Sequence, residues 1–201
     1  MYMKPLTLPQ KNMYETEQFF DGTSMCNIGG VVFLKQENID IDILEKAINK
    51  VISNSDGLRI KISKNNSIPY QYVSEYEYEK IDIVSLAKNE YKRILENWMR
   101  ELFDVSKKLY QFKILKIENE IGVFIKLHHI ICDAWGTTLV VSKIIEYYEK
   151  ILDNLQILDD DISSYLKAID KEAEYLKSSR YENDDKFWKE KYREKPSFVT
   201  M

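Results

Sequence analysis

The chain has 201 residues, 44% of them hydrophobic and 31% charged, which is typical of a folded globular domain with a sizeable core. The net charge is −4 and the basic residues are scattered, so the sequence lacks the basic stripe that nucleic-acid binding requires. No apolar run approaches the ~18 residues of a membrane span, and the N-terminus lacks a signal-peptide pattern. Two cysteines, Cys26 and Cys132, are too few for a disulfide framework. We therefore expect a cytoplasmic protein whose thiols are reduced.

The N-terminal segment predicts one helix followed by one strand. Residues 4–20 begin extended and become helical after Pro9, a residue suited to the first turn of a helix. The helix is predicted to end at Asp21-Gly22. Residues 27–34 form an apolar run that is typical of a buried strand.

Two amphipathic helices are predicted next. The first starts at Asp42 and ends near Gly57, which is expected to adopt a left-handed conformation. Its apolar face follows the 3.6-residue period and comprises Leu44, Ala47, Ile48, Val51 and Ile52. Extended segments are predicted at 58–62, 70–73 and 80–84. Ser85 is predicted to cap the second helix, whose stripe is Ala87, Tyr91, Ile94, Leu95, Trp98 and Leu102.

A β-hairpin then leads to the only two histidines of the protein. Strands at 109–117 and 121–129 are joined by a tight turn. The two-residue period of the second strand defines two faces, which are Ile121, Val123, Ile125, Leu127 and His129 on one side and Gly122, Phe124, Lys126 and His128 on the other. The two imidazoles are therefore expected to point in opposite directions, with His129 toward the buried side.

The C-terminal third is predicted to be helical. A long helix runs from Asp133 to about Leu152, and its predicted buried face is Val141, Ile144, Ile145, Tyr148 and Leu152. A polar break at Asp159–Asp161 precedes a helix that opens at Ser163, and a last short helix covers residues 186–192. The whole pattern predicts an α/β protein with a mixed sheet and helices packed on it.

The residues around the histidines resemble the active-site signature of the condensation domains of nonribosomal peptide synthetases. That signature, His-His-x-x-x-Asp-Gly, appears as His128-His129-Ile-Ile-Cys-Asp133-Ala134, with alanine replacing glycine. Other segments are similar to family motifs in the same order. They are Leu6-Thr-Leu-Pro-Gln10 with Met13-Tyr14, Leu58-Arg59, Leu102-Phe103-Asp104, and Lys186-Phe-Trp-Lys-Glu-Lys.

This resemblance implies a chloramphenicol acetyltransferase-like fold and only one of the two lobes of such a domain. Residues 1–178 would form the N-terminal lobe, and residues 179–201 would be a linker helix leading toward a C-terminal lobe. The implied partners are that C-terminal lobe and the donor and acceptor carrier proteins, which bear 4′-phosphopantetheine arms. No cofactor, metal, nucleic acid or membrane is expected to bind to this chain itself. Apolar surface left uncovered in a lone lobe would allow self-association.

The implied reaction is amide bond formation between carrier-bound aminoacyl or peptidyl thioesters. His129 stands at the family's catalytic position, either as general base or as a group that positions the amine. His128 is expected to support the loop as a structural histidine. Asp133 is expected to pair with Arg59, with a helix N-cap as its alternative role.

Other chemistries are weaker alternatives. His128, His129 and Asp133 could form a metal site, but adjacent histidines on a strand point apart. Cys132 could be a nucleophile, although the sequence shows no partner to orient it. Within the superfamily, an epimerisation domain or another carrier-dependent acyltransferase shares the histidine motif. A non-catalytic docking scaffold is the alternative from a different class, and the isolated chain is expected to be inactive.

Overall fold

The computed structural model describes residues 3–35, 38–66, 68–158, 162 and 164–194. The strands within these ranges are β1 (Lys4–Pro5), β2 (Asn27–Leu34), β3 (Ile60–Asn65), β4 (Ile68–Val73), β5 (Asp82–Leu86), β6 (Tyr110–Ile117) and β7 (Glu120–His128). The helices are α1 (Leu8–Phe19), α2 (Ile41–Asn54), α3 (Tyr91–Arg100), α4 (Ala134–Leu152), α5 (Tyr165–Tyr175) and α6 (Ser179–Lys191). The predicted break at Asp159–Asp161 and the helix start at Ser163 lie outside the described residues.

The strands form two sheets. The larger has the order β2-β7-β6-β5, in which β5 runs parallel to β6 and the other pairs are antiparallel. The smaller has the order β1-β4-β3 and is antiparallel. Strands β6 and β7 form the predicted hairpin, with Ile117 paired to Glu120 across a turn where Glu118 has a φ of 53°. The predicted α/β class with mixed pairing is confirmed, with two sheets where one was expected.

The main core lies between the larger sheet and the helix pair α2 and α4. The predicted apolar face of α2 is confirmed, since all five of its members are at most 1% exposed. Helix α3 covers the opposite face of the sheet, where it packs on Leu115, Ile117 and Phe124. Both faces of the two central strands are therefore covered, which explains why β7 is apolar on both faces over most of its length.

The buried face of α4 differs from the prediction by about one residue. The fully buried positions are Val140, Ile144, Tyr147 and Tyr148. Ile145 and Leu152 were predicted to be buried but are 38% and 42% exposed. Because α4 packs mainly against α2 and not over the edge strand β2, the helix turns a neighbouring row of side chains inward.

Two predicted boundaries are wrong. Ser85 does not cap a helix but lies in β5, where it pairs with Lys116, and α3 begins only at Tyr91. Hydrogen bonding of β5 to the parallel strand β6 carries the extended chain past this serine. Gly57 is not left-handed, because α2 ends at Ser55 with extended angles of φ −102° and ψ 102°. In the described part of the chain, no helix is long and apolar enough to cross a membrane.

Candidate active site

The two histidines lie where β7 ends and the chain turns toward α4. The strand includes His128 but stops before His129, which begins the turn instead of ending the strand as predicted. The backbone N–H of His129 donates to the carbonyl oxygen of Cys26 at 2.7 Å. The rings lie on opposite sides, as predicted, but their burial is reversed. His128 is 1% exposed, whereas His129 is half-buried.

The ring of His128 is held at both nitrogens. Its Nδ1 accepts a hydrogen bond from the backbone N–H of Ile130 at 3.1 Å. A nitrogen that accepts cannot carry a proton, so the proton of the ring lies on Nε2, which is 3.0 Å from Oε1 of Glu17. The ring also packs edge-on against Phe103, with 6.0 Å between centroids. His128 is therefore a fixed structural group with no nitrogen left for a substrate.

The ring of His129 has the opposite environment. No other described residue forms a hydrogen bond with its side chain. It lines a groove of about 500 Å³ between β2 and the first half of α4. Its nitrogens can therefore meet a ligand that enters this groove, which is the geometry required of a general base.

The segment at the start of the chain supports the histidine turn from behind. Thr7 and Gln10 form a capping box at the start of α1, in which each side chain bonds to the backbone N–H of the other. The Gln10 amide also donates to the Ile130 carbonyl oxygen at 3.3 Å. Gln71 pairs reciprocally with Gln10 through bonds of 2.8 and 2.6 Å. The segment Leu6–Gln10, which resembles a family motif, therefore joins α1, β4 and the turn after His129.

Asp133 caps α4, which was the alternative role considered for it. Its Oδ1 accepts from the backbone N–H of Gly136 at 2.7 Å. A carboxylate at this position satisfies an otherwise unpaired donor and complements the positive end of the helix.

The predicted pair between Asp133 and Arg59 is wrong. Arg59 donates instead to the carbonyl oxygens of Ile52 at 3.1 Å, Ser74 at 3.2 Å and Ser53. Ile52 and Ser53 belong to the last turn of α2, whose carbonyls have no partners within the helix. The guanidinium is therefore used at the negative end of α2, and Arg59 fixes the connection from α2 to β3.

Cys132 has the environment of a structural thiol. Burial, together with the charge of Asp133, raises the pKa of this thiol. Its Sγ lies 3.6 Å from the hydroxyl of Thr137. A raised pKa suppresses the thiolate that nucleophilic catalysis needs. Within the described ranges, no group of three or more histidine, cysteine or acidic side chains is arranged to hold a metal ion.

A buried lysine near the site was not predicted. Lys126 is 2% exposed and lies on the His128 face of β7. Its Nζ donates to the carbonyl oxygens of Trp98 at 2.9 Å and Glu101 at 3.2 Å, at the C-terminal end of α3. It also lies 4.7 Å from the centroid of Phe103. The sequence signal for this role was a lysine inside an otherwise apolar strand.

Glu17 was also missed as a partner of His128. It lies on α1 seven positions after Gln10, which places both on the same side of the helix. The spacing indicates a shared face, but nothing in the sequence shows that this face meets His128.

Comparison with known proteins decides the family. A profile described as "Condensation domain" matches residues 2–199. The chain belongs to the condensation domain family. It is 33% identical over 190 residues to a plipastatin synthase of Bacillus subtilis (strain 168), covering 91% of this chain and 7% of that protein. It is 29% identical over 210 residues to a surfactin synthase of the same strain, covering 98% of this chain and 6% of that protein.

Solved condensation domains share its fold. The starter condensation domain of rhizomide synthetase RzmA matches with a TM-score of 0.86 and 16% identity, over 98% of this chain and 49% of that one. The first condensation domain of the CDA synthetase matches with a TM-score of 0.85 and 15% identity, over 100% of this chain and 52% of that one. The chain thus spans about half the length of these domains and a small part of the synthetases.

Proposed function

We propose that this chain is the N-terminal lobe of a condensation domain that forms amide bonds between carrier-bound thioesters. Residues 1–178 form the lobe, and residues 179–201 lead toward the second lobe. The observation that carries this proposal is the separation of the two histidines. His128 is fixed at both nitrogens, while His129 presents a ring without protein partners to an open groove.

The proposed chemistry needs a group that accepts or positions a proton, and it needs neither a metal nor a covalent enzyme intermediate. The amine of the acceptor attacks the carbonyl carbon of the donor thioester, a carbon–nitrogen bond forms, and the carbon–sulfur bond breaks. The nitrogen loses one proton and the departing pantetheine sulfur gains one. A neutral His129 can accept or orient the amine proton, and alignment of the two reactants supplies the rest. Family membership supports carrier proteins bearing 4′-phosphopantetheine arms as the source of both substrates.

Apolar side chains near the histidine turn support a second lobe as partner. Trp135, in the first turn of α4, is 81% exposed, and Leu139, one turn further, is 49% exposed. Phe19 and Met25, which precede β2, are 81% and 53% exposed. Contiguous exposed apolar surface marks interaction sites. We infer that a C-terminal lobe covers them, and that the isolated chain tends to self-associate through them.

The test is His129→Ala in the protein containing both lobes, measured in an assay with one donor and one acceptor carrier. Loss of general-base help lowers amide formation by about 10²–10⁴-fold. Cys132→Ser is the matched control, because it changes a side chain of the same loop that has no role in the proposed reaction. Equal losses in the two variants, or full activity of His129→Ala, would contradict the assignment.

The same assay distinguishes the remaining alternatives. The 201-residue chain alone is expected to form no amide product, because one wall of the proposed site is supplied by the second lobe. An epimerised aminoacyl group in place of an amide product would assign the protein to the epimerisation branch. Binding of carriers with neither product would favour a docking scaffold.

A further inference from the structure

Helix α5 receives its N-terminal cap from a residue that is far away in the sequence. Its own N-cap residue, Ser164, forms no capping hydrogen bond with its side chain. The carboxylate of Asp56 accepts instead from the backbone N–H groups of Tyr165 at 2.7 Å and Leu166 at 3.4 Å. The hydroxyl of Ser164 also donates to this carboxylate. A cap from the same segment stabilises a helix, whereas a cap from 109 positions away also fixes where the helix begins relative to the sheet.

The side chain of Tyr165 packs on the turn that carries Asp56. A Cβ atom built on Gly57 would lie 3.7 Å from the Cβ of Tyr165, which is an ordinary van der Waals distance. Tyr165 also packs against the apolar cluster that contains Leu6 and Ile130. The start of α5 is therefore attached to the same apolar core as the histidine turn, through both polar and apolar contacts.

The middle of α5 is attached to the N-terminal segment of the chain. Ile169 is 3% exposed. The backbone N–H of Leu8 donates to Oε1 of Glu172 at 2.6 Å, and Lys4 forms an ion pair with Asp170. Together with the cap, these contacts hold α5 at two separate places along its axis. Two such attachments define the direction of a helix, and a helix that keeps only one of them pivots about it.

Helix α6 is attached to the end of α5. None of the residues of α6, all of which the structure describes, is buried. Tyr175, the last residue of α5, donates a hydrogen bond to Asp184 at 2.8 Å, and its ring packs edge-on against Tyr181. At the rise of an α-helix, α5 is about 16 Å long, so a tilt of ~10° moves its far end by about 3 Å. A change of direction at the start of α5 is therefore carried to α6.

We propose that Asp56 is a positioning residue for the condensation reaction, which acts through α5 and α6 to fix the second lobe relative to His129. This inference rests on the proposed function, in which residues 179–201 lead toward that lobe. Amide formation needs two reactants aligned at His129, and a misplacement of about 1 Å can lower a rate by about 10²-fold. Asp56 gives the chain a defined direction as it leaves the first lobe, so it acts on alignment and not on the binding of either carrier.

The first test is hydrogen–deuterium exchange of the 201-residue chain, followed by mass spectrometry. Asp56→Ala removes the acceptor of two backbone N–H groups, so the amides of α5 are expected to exchange about fivefold faster, while those of β6 and β7 keep their rates. Asp40→Ala is the matched control, because Asp40 caps α2 locally through the N–H groups of Asp42 and Ile43. It is expected to leave the exchange of α5 unchanged.

The second test is amide formation by the protein containing both lobes. For Asp56→Ala, kcat is expected to fall about tenfold or more, with KM for each carrier within about twofold, because alignment is lost while binding is kept. Asp56→Asn retains an oxygen that caps nearly as well, so it is expected to keep more than about half of the kcat. Asp40→Ala is expected to keep all of it. General destabilisation would instead affect Asp56→Ala and Asp40→Ala alike.

Three outcomes would overturn the inference. They are unchanged exchange of α5 in Asp56→Ala, equal kcat values in Asp56→Ala and Asp40→Ala, or an Asp56→Asn variant as slow as Asp56→Ala. The exchange measurement does not depend on turnover. Faster exchange of α5 in Asp56→Ala, together with no amide product from the unsubstituted two-lobe protein, would contradict the proposed function and not the attachment of α5 by Asp56.

Discussion

The two sides of β7 differ sharply where the strand ends. On the side of His128, the polar groups are enclosed by α1 and the end of α3, and Lys126 and Glu17 bind specific partners. On the side of His129, an open groove lies between the edge strand β2 and the first half of α4. The adjacent residues His128 and His129 therefore lie in opposite environments, one tightly packed and one beside an open groove. The comparison indicates that tight packing on one side holds the ring on the other side in place.

The largest expected effect on stability comes from a substitution on the tightly packed side of β7. His128→Ala removes a buried ring and leaves the Ile130 N–H and the Glu17 carboxylate without their partner. We expect the free energy of unfolding to fall by about 3 kcal/mol. Urea unfolding at neutral pH measures it.

His129→Ala is the control for this change. Its ring is half-buried and bonded to no other described side chain, so the expected loss is below about 1 kcal/mol. A loss equal to that of His128→Ala would show that both sides of the strand are structural.

A smaller effect is expected for Lys126→Met, which keeps most of the aliphatic stem but removes the ammonium from the end of α3. Two carbonyl groups lose a charged donor, and we expect a loss of about 1–2 kcal/mol at pH 7. Burial lowers the pKa of Lys126 from its usual 10.5, an effect that Glu101 partly offsets.

Because the pKa of Lys126 is lowered, the direction in which this residue changes folding stability with pH can be predicted. The unfolded chain binds more protons than the folded one just below pH 10.5, so Lys126 makes stability rise with pH in that range. We therefore expect the free energy of unfolding of the unsubstituted protein, relative to that of Lys126→Met, to increase with pH between pH 8 and 10, as measured by urea unfolding. A difference that shrinks with pH would mean that the buried ammonium is favoured and not penalised.

The smallest effect concerns Asp133 and Arg59. As a helix cap, Asp133 contributes about 1 kcal/mol, which Asp133→Ala should remove. Because Arg59 binds other groups, a double-mutant cycle with Arg59→Met should give a coupling energy below about 0.5 kcal/mol. A coupling of about 3 kcal/mol or more, as in a buried ion pair, would restore the rejected pair.

The parts of the fold that were predictable depend on local periodicity. The face of α2 and the β6–β7 hairpin follow from patterns within a single segment, and both were found. Ser85 was misassigned because its place in β5 depends on pairing with β6, about thirty positions along the chain. The face of α4 was shifted because the helix carries apolar residues on more than one side, and contact with α2 selects among them.

The residues of the candidate site could be predicted from the sequence, but their hydrogen-bond partners could not. The histidine motif and its resemblance pointed to His128, His129 and Asp133, and the opposite orientation of the rings followed from the strand period. The acceptors of Arg59 could not be predicted, because carbonyl groups at the end of a helix leave no signature in side-chain sequence.

The Gln10 amide has a consequence for the order of folding. It joins groups that are 61 and 120 positions away along the chain, at Gln71 and Ile130. Contacts of such long range form late, because closure of a long loop costs chain entropy before any bond is gained. On the ribosome, α1 is made before the histidine turn and cannot meet it until the chain has been synthesised beyond Ile130. A helix that is synthesised early in this chain is thus among the last to complete the site.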